Sequence, residues 1–141
     1  MDAREVIERL RLEPHPEGGL YRETWRAAES AAGRSAGSAI LFLLVEGAVS
    51  RWHRVDADEV WAWHAGAPLE LAISSGGAAE PVRLGMDAAR GEVPQAVVPA
   101  GAWQSGRALG AWALVSCIVV PGFTFEGFEM APEGWHPGAR S

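Results

Sequence analysis

The residues with the most chemical potential lie close together in Gly47 to Gly66, GAVSRWHRVDADEVWAWHAG, where two strand-like runs flank the polar turn Asp56-Ala57-Asp58. If Val55 and Glu59 close a three-residue hairpin loop, His53 falls opposite Trp61 and Arg51 opposite Trp63, because antiparallel partners count outward symmetrically from the turn. Side chains alternate faces along a strand, so Arg51, His53, Val55, Glu59, Trp61 and Trp63 share one surface. A neutral imidazole has a pKa of about 6.5, suited to a general base, and a neighbouring carboxylate can orient or charge it. His53 and Glu59 are therefore the first candidates for acid–base chemistry, with Tyr21 a candidate acid that no spacing argument places beside them. An inward Arg51 would suit a carboxylate or phosphate, or would pair with Glu59 or Glu23. Trp61 and Trp63 each read as core filling; as a pair beside His53 they also make a stacking wall for a sugar ring or planar ligand. Parity puts His64 on the opposite face, while His15 and His136, beside prolines in loops, read as solvated.

These residues need a scaffold, and 141 residues suffice for one domain with a real core. The apolar and charged fractions are those of an ordinary globular protein, and the many glycines and prolines fall in turn-like positions between short runs. Lysine is absent, and the net charge of -6 carries no basic block, which argues against a nucleic-acid or anionic-membrane surface. No leader pattern opens the chain, the apolar runs are too short to span a bilayer, and Cys117 reads as a small buried hydrophobe; a reducing, cytoplasmic location is the expectation.

Asp2 followed by Glu5 resembles a capping box and predicts one helix over about Ala3 to Arg11, with Val6, Ile7 and Leu10 as its apolar stripe. Pro14 and Pro16 push Glu13 and His15 into extended backbone, and Gly18-Gly19 turn the chain into a strand on which Tyr21, Glu23 and Trp25 share a face. Ala27 to Gly37, rich in Ala, Ser and Gly, reads as a mobile surface loop. Ala39 to Val45 is apolar on both faces, so either the N-terminal segment or a second subunit must cover its outer side. Strands follow at Leu69 to Ile73, Pro81 to Leu84 and Gln95 to Val98, with Trp103 to Gly106 and Trp112 to Val120 as a last hairpin. Trp52, Trp103 and Trp112 are assigned to packing or to a dimer interface. Phe123, Phe125 and Phe128 pack back over the body, and the end from Pro137 frays. Nine or ten short strands and one helix define an all-β sandwich or barrel: residues 1–37 an N-terminal helix, strand and loop, 38–130 the barrel, 131–141 a tail.

Gly47, five residues, His53, then Glu59 and, after six more residues, Gly66 resemble the first cupin motif, G-x5-H-x-H-x3,4-E-x6-G, with Val55 in place of its second His. Pro99-x-Gly101-x-x-Gln104 resembles the core of the second motif, with Gln104 for its His and Ala108 for its closing Asn. The segments PHPEGGLYRET, HRVDADEVWAWHAG, VVPAGAWQ and VVPGFTFEGFEM are similar, in order, to the cupin subfamily called "cupin 5". That resemblance implies a double-stranded β-helix, a jelly-roll barrel with a small-molecule pocket inside it, usually as a homodimer. It also implies a divalent-metal position, for which this chain offers His53, Glu59 and Gln104 as ligands to Zn, Fe, Mn or Ni. By analogy with metal-free cupin epimerases, the leading expectation is an epimerase, isomerase or lyase acting on a sugar-like or other polar substrate. His53 and Glu59 would be catalytic with Tyr21, and Arg51, Trp61, Trp63, Gln104 and Glu23 would bind the substrate. A metal-dependent oxygenase or hydrolase, and a binding-only sensor, are the alternatives, since one fold hosts many functions.

Overall fold

The computed structural model describes residues 1–138. A helix, α1 (Ala3–Leu10), precedes eleven strands: β1 (Glu13–Pro14), β2 (Leu20–Arg26), β3 (Ser38–Val45), β4 (Val49–Val55), β5 (Asp58–Gly66), β6 (Leu69–Ser74), β7 (Glu80–Leu84), β8 (Gln95–Val98), β9 (Trp103–Ala108), β10 (Trp112–Val120) and β11 (Phe128–Met130). They form a six-stranded sheet in the order β1-β2-β3-β10-β5-β8 and a five-stranded sheet in the order β11-β4-β9-β6-β7. Every pairing between these strands is antiparallel, and the two sheets face each other as a jelly-roll barrel. Alternation along each strand sends Phe42, Leu44, Trp61, Leu69, Leu71 and Val115 into the space between the sheets, where they are essentially fully buried.

The stretch Gly47 to Gly66 is not a hairpin. β4 pairs with β9 and β11 in one sheet, and β5 pairs with β10 and β8 in the other. The turn at Asp56-Ala57 is a corner that carries the chain across the barrel, driven by burial of Val55, Ala57 and Val119 against Phe123 and Phe128. His53 therefore lies opposite Gln104, and Trp61 opposite Cys117 and Ala96. β9 and β10 likewise enter different sheets instead of forming the expected last hairpin.

The outer side of β3 is covered by the N-terminal segment: Val6, Leu12 and Leu43 are buried together, flanked by Ile7, Leu10, Leu41, Val45 and Leu114. The helix that does this starts at Asp2, whose Oδ1 accepts from the Glu5 N–H at 2.9 Å, and stops at Arg11 in the left-handed conformation (φ 56°). The segment from Ala27 to Gly37 is pinned, not a free loop. Arg34 donates from Nε to the Gly122 carbonyl at 2.8 Å and holds the Asp56 carboxylate at 2.8 and 3.1 Å, while the Ser35 hydroxyl bonds the Ala27 and Gly37 carbonyls. Phe123 and Phe128 pack over the body as the sequence suggests, and residues 139–141 of the expected fraying tail lie outside the described residues.

Leu43, 0 % exposed between the six-stranded sheet and α1, tests this arrangement. Leu43→Ala is expected to destabilise the fold by about 2–5 kcal/mol, measured as a lowered urea midpoint at unchanged m-value.

Candidate functional site

His53 sits on β4 beside a bulge: the pairing of β4 with β9 shifts register between Ser50 and His53. The extra residue breaks strict alternation, so Ser50 and His53 both face inward while Arg51, expected to share the face of His53, turns outward. There Arg51 Nη2 donates to the Ala131 carbonyl at 3.3 Å, in a separate surface depression beside Trp52 and Trp135. Its own carbonyl lies 2.7 Å from His53 Nδ1. A carbonyl can only accept, so His53 carries a proton on Nδ1, and in the neutral ring Nε2 is the lone pair. That nitrogen is 3.2 Å from Oε2 of Glu17, and the Ser50 hydroxyl donates to the same oxygen.

Glu17 is delivered by the Pro14–Gly19 segment. His15 N–H bonds the Gly19 carbonyl, Gly18 N–H bonds the His15 carbonyl, and Arg51 N–H bonds the Glu17 carbonyl at 2.8 Å, stitching the segment to β4. Gly18 is obligatory: its φ is +101°, and a Cβ there would stand 2.4 Å from the Val49 carbonyl oxygen. His15, expected to be solvated, is 9 % exposed; its Nδ1 accepts from the Glu17 N–H at 3.1 Å, and its ring meets Tyr21 edge-on.

On β5, alternation places Glu59, Trp61 and Trp63 on one face as the sequence predicts, but they divide by depth. Glu59 reaches the cavity. Trp61 is core, edge-on to Phe42, and its indole N–H donates to Gln104 Oε1 at 2.8 Å. That bond fixes the amide so that Gln104 Nε2 donates to Glu59 Oε1 at 2.8 Å. Trp63 donates to the Ala67 carbonyl and packs against the core. Neither indole lines the cavity.

The cavity has a volume of about 100 Å³. Its polar floor consists of His15, Glu17, His53 and Glu59, with Cys117 and Ser38 at its side; Tyr21, Phe123, Phe125 and Phe128 form an aromatic wall. Glu23 and Arg26 also line it and hold each other at 2.8 and 2.9 Å. Of the sequence candidates, His53, Glu59, Tyr21 and Glu23 are thus brought together; Gln104 supports Glu59 from behind, and Arg51, Trp61 and Trp63 stand elsewhere. His15, Glu17, Cys117 and the phenylalanine wall were not among the site candidates. The signal for the first two was the run Pro-His-Pro-Glu-Gly-Gly, in which rigid and left-handed positions flank two titratable side chains.

Burial dominates the electrostatics. It raises Glu17 to about 8, against the opposing bond from Ser50, and Glu59 to about 7, against the pull of His53 and with a further push from Glu17. Burial, with His53 adding to it, lowers His15 to about 4; burial also lowers His53, opposed by Glu59 and the Arg51 carbonyl. The Cys117 thiol is pushed well up by burial and by Glu59 and Glu17.

The expected ligand set of His53, Glu59 and Gln104 does not fit a divalent metal. Gln104 turns its oxygen away toward the Trp61 indole, presents its N–H to Glu59 and does not line the cavity, while the lone pair of His53 faces Glu17. Among the described residues no three His, Cys, Asp or Glu side chains are grouped to hold an ion, and no helix is long and apolar enough to cross a membrane.

A two-sheet jelly roll with a His and a Glu facing an interior cavity defines a cupin. The chain belongs to the Cupin 5 family, described as "Cupin superfamily (DUF985)", whose model matches residues 4–131. It is similar to a protein of Shewanella oneidensis (41% identity over 93% of this chain and 85% of that one, TM-score 0.88) and to a hypothetical protein from Leishmania major (35% identity over 92% and 86%, TM-score 0.84). At the level of fold it is similar to oxalate decarboxylase from Bacillus subtilis (18% identity over 83% of this chain and 29% of that one, TM-score 0.64). No curated protein matches the sequence.

The shifted groups set a pH dependence of stability. Glu17 and Glu59 bind protons more tightly folded than unfolded, so their contribution is complete below about 4.5 and lost as pH rises through 7 and 8. His15 and His53 bind protons less tightly when folded, so theirs is complete above 6.5 and lost as pH falls, for His15 through about 4. The two slopes oppose each other between about 4.5 and 6.5, and only the carboxyl slope remains above. Chemical denaturation is expected to give near-constant stability from pH 5 to 6.5 and a fall from 6.5 to 8, a fall that Glu59→Gln reduces.

Proposed function

We propose that this barrel interior catalyses a metal-free proton transfer on a small polar substrate, as an epimerase, isomerase or lyase. The observation that carries the reading is the pairing, inside one small cavity, of an imidazole kept neutral with Nδ1 tied to a backbone carbonyl and a carboxyl held near neutrality by burial. His53 supplies the basic nitrogen, Nε2, which faces Glu17. Glu59, protonated over part of the neutral range and aimed by Gln104, donates to the substrate oxygen on which negative charge develops when a neighbouring C–H is lost. The electron pair of that C–H bond becomes an enolate. Return of the proton to the other face gives an epimer, return to the neighbouring carbon gives an isomer, and expulsion of a leaving group gives a lyase product.

The cavity limits the substrate. About 100 Å³ is small for a ligand pocket, so only a small molecule or the end of a larger one enters. The wall of Phe123, Phe125 and Phe128 favours a flat or weakly polar flank on that end. A fully enclosed sugar ring with a nucleotide attached is too large, which narrows the sugar-like class expected from the sequence.

The reading is tested by incubating the protein in D₂O with a panel of small hydroxy aldehydes, hydroxy ketones and keto acids, following deuterium at the carbon beside the carbonyl by NMR. The expected result is exchange that falls at least ~100-fold in His53→Ala and in Glu59→Gln, with the fold retained. Exchange at full rate in the double variant, or ligand binding with no exchange for any member of the panel, sinks it.

A further inference from the structure

We infer that Glu17 and His53 hold one proton in common, and that Glu17 is the group through which a ligand in the cavity exchanges it. Hydrogen-bond valence constrains the contact. His53 Nδ1 is committed as donor to the Arg51 carbonyl, leaving a lone pair at Nε2, 3.2 Å from Glu17 Oε2. His15 Nδ1 has its one lone pair engaged by the Glu17 N–H and so carries no proton to donate to Glu17 Oε1, 3.3 Å away. An ionised Glu17 beside these two nitrogens, neither of which carries a proton, would have the Ser50 hydroxyl as its one side-chain donor among the described residues, with its side chain 9 % exposed. A single proton on the Glu17–His53 contact resolves this, as carboxylic acid donating to neutral imidazole or as imidazolium donating to carboxylate.

The site is built for this contact. Three separate features converge on it: the left-handed Gly18, which lets the segment close on Val49; the Arg51 N–H bond to the Glu17 carbonyl; and the β4 bulge that turns Ser50 and His53 inward together. The other titratable groups facing Glu17 across the cavity are Glu59 from β5, Cys117 from β10 and Tyr21 from β2. The charged pair Glu23–Arg26 lines the same cavity, each side chain more than a third exposed. None of them hydrogen-bonds the Glu17–His53 contact.

This inference rests on the proposed proton transfer and changes its route. With Nε2 covered, the substrate proton passes to Glu17 as the proton on Oε2 passes to His53 Nε2. The ring becomes imidazolium with Nδ1 still on the Arg51 carbonyl, and the substrate keeps the electron pair as an enolate. Reversal of both transfers returns the proton. One proton leaves the substrate and one is gained by His53, so the balance closes without a co-reactant. Glu17 is then a catalytic residue and Ser50 a positioning one.

The test is an NMR titration of the intact protein labelled with ¹³C and ¹⁵N, reading the Glu17 carboxyl carbon and the His53 ring nitrogens, with Glu17→Gln and Ser50→Ala beside the wild type. The expected result is one shared step, seen at both residues near pH 8, that is absent from His53 in Glu17→Gln and moves upward in Ser50→Ala, where a bond favouring the ionised carboxyl is lost. In the deuterium-exchange assay Glu17→Gln is expected to lower the rate at least ~100-fold. Titration of Glu17 below pH 5 together with the ordinary carboxylates, or a His53 profile unchanged by Glu17→Gln, overturns the shared proton. Full exchange activity in Glu17→Gln overturns its use. A shared step in a protein that exchanges no substrate counts against the proposed reaction and leaves the shared proton standing, so the two failures are told apart.

Discussion

The structure depends on bringing two carboxyls and two imidazoles out of water inside one barrel without leaving any of them unpaired. Burying a charge costs several kcal/mol unless it is neutralised or matched. Here the groups are shifted toward their uncharged forms, and each has defined partners: His15 the Glu17 N–H, His53 the Arg51 carbonyl and Glu17, Glu59 the Gln104 amide. Within the described residues no buried side-chain nitrogen or oxygen lacks a hydrogen-bond partner. A mostly neutral, fully bonded cluster is compatible with a stable core.

Several features that look separate serve this cluster. The bulge in β4 abandons regular pairing and turns two polar side chains inward. The Trp61 indole, deep in the core, dictates which end of the Gln104 amide faces Glu59, so that a packing residue decides the hydrogen-bond polarity of the site. The Pro14–Gly19 segment lies across β4 and brings His15 and Glu17 to the cavity. The Arg34 tie to Asp56 and Gly122 anchors the corner and the segment leading into the phenylalanine wall. Substitution at such remote points would disturb the cluster through geometry, with all of its own side chains still present.

Much of the fold was legible. Strand periods, turn residues and the cupin-like motifs gave an all-β jelly roll, an N-terminal helix and most strand bounds, because alternation and Gly/Pro punctuation are local signals. His53 and Glu59 were legible as inward residues of one motif, and Tyr21 and Glu23, legible only as sharing a strand face, line the same cavity. The hairpin was not, since two strands joined by a short polar turn look the same whether they pair or step across a corner; burial of Ala57 and Val55 against distant Val119 and Phe128 decides between them. Arg51 was misplaced by a bulge, which inserts one residue and inverts every parity argument beyond it. His15 was misread because a residue between prolines is extended in either case, and only the fold determines whether that extended segment faces water or β4.

The sequence by itself determined the architecture, the presence of an imidazole and a carboxylate at matching positions of one motif, and Val55 where the general cupin motif has its second His. Those are properties of residue type and local spacing. Tertiary structure alone decided that Glu17 meets His53, that Gln104 spends its oxygen on Trp61, and that the apolar outer side of β3 is sealed by α1. Each of these joins segments from opposite ends of the chain or from different sheets. Such contacts are fixed by how the sheets close over a common core and leave no periodicity in the sequence that encodes them.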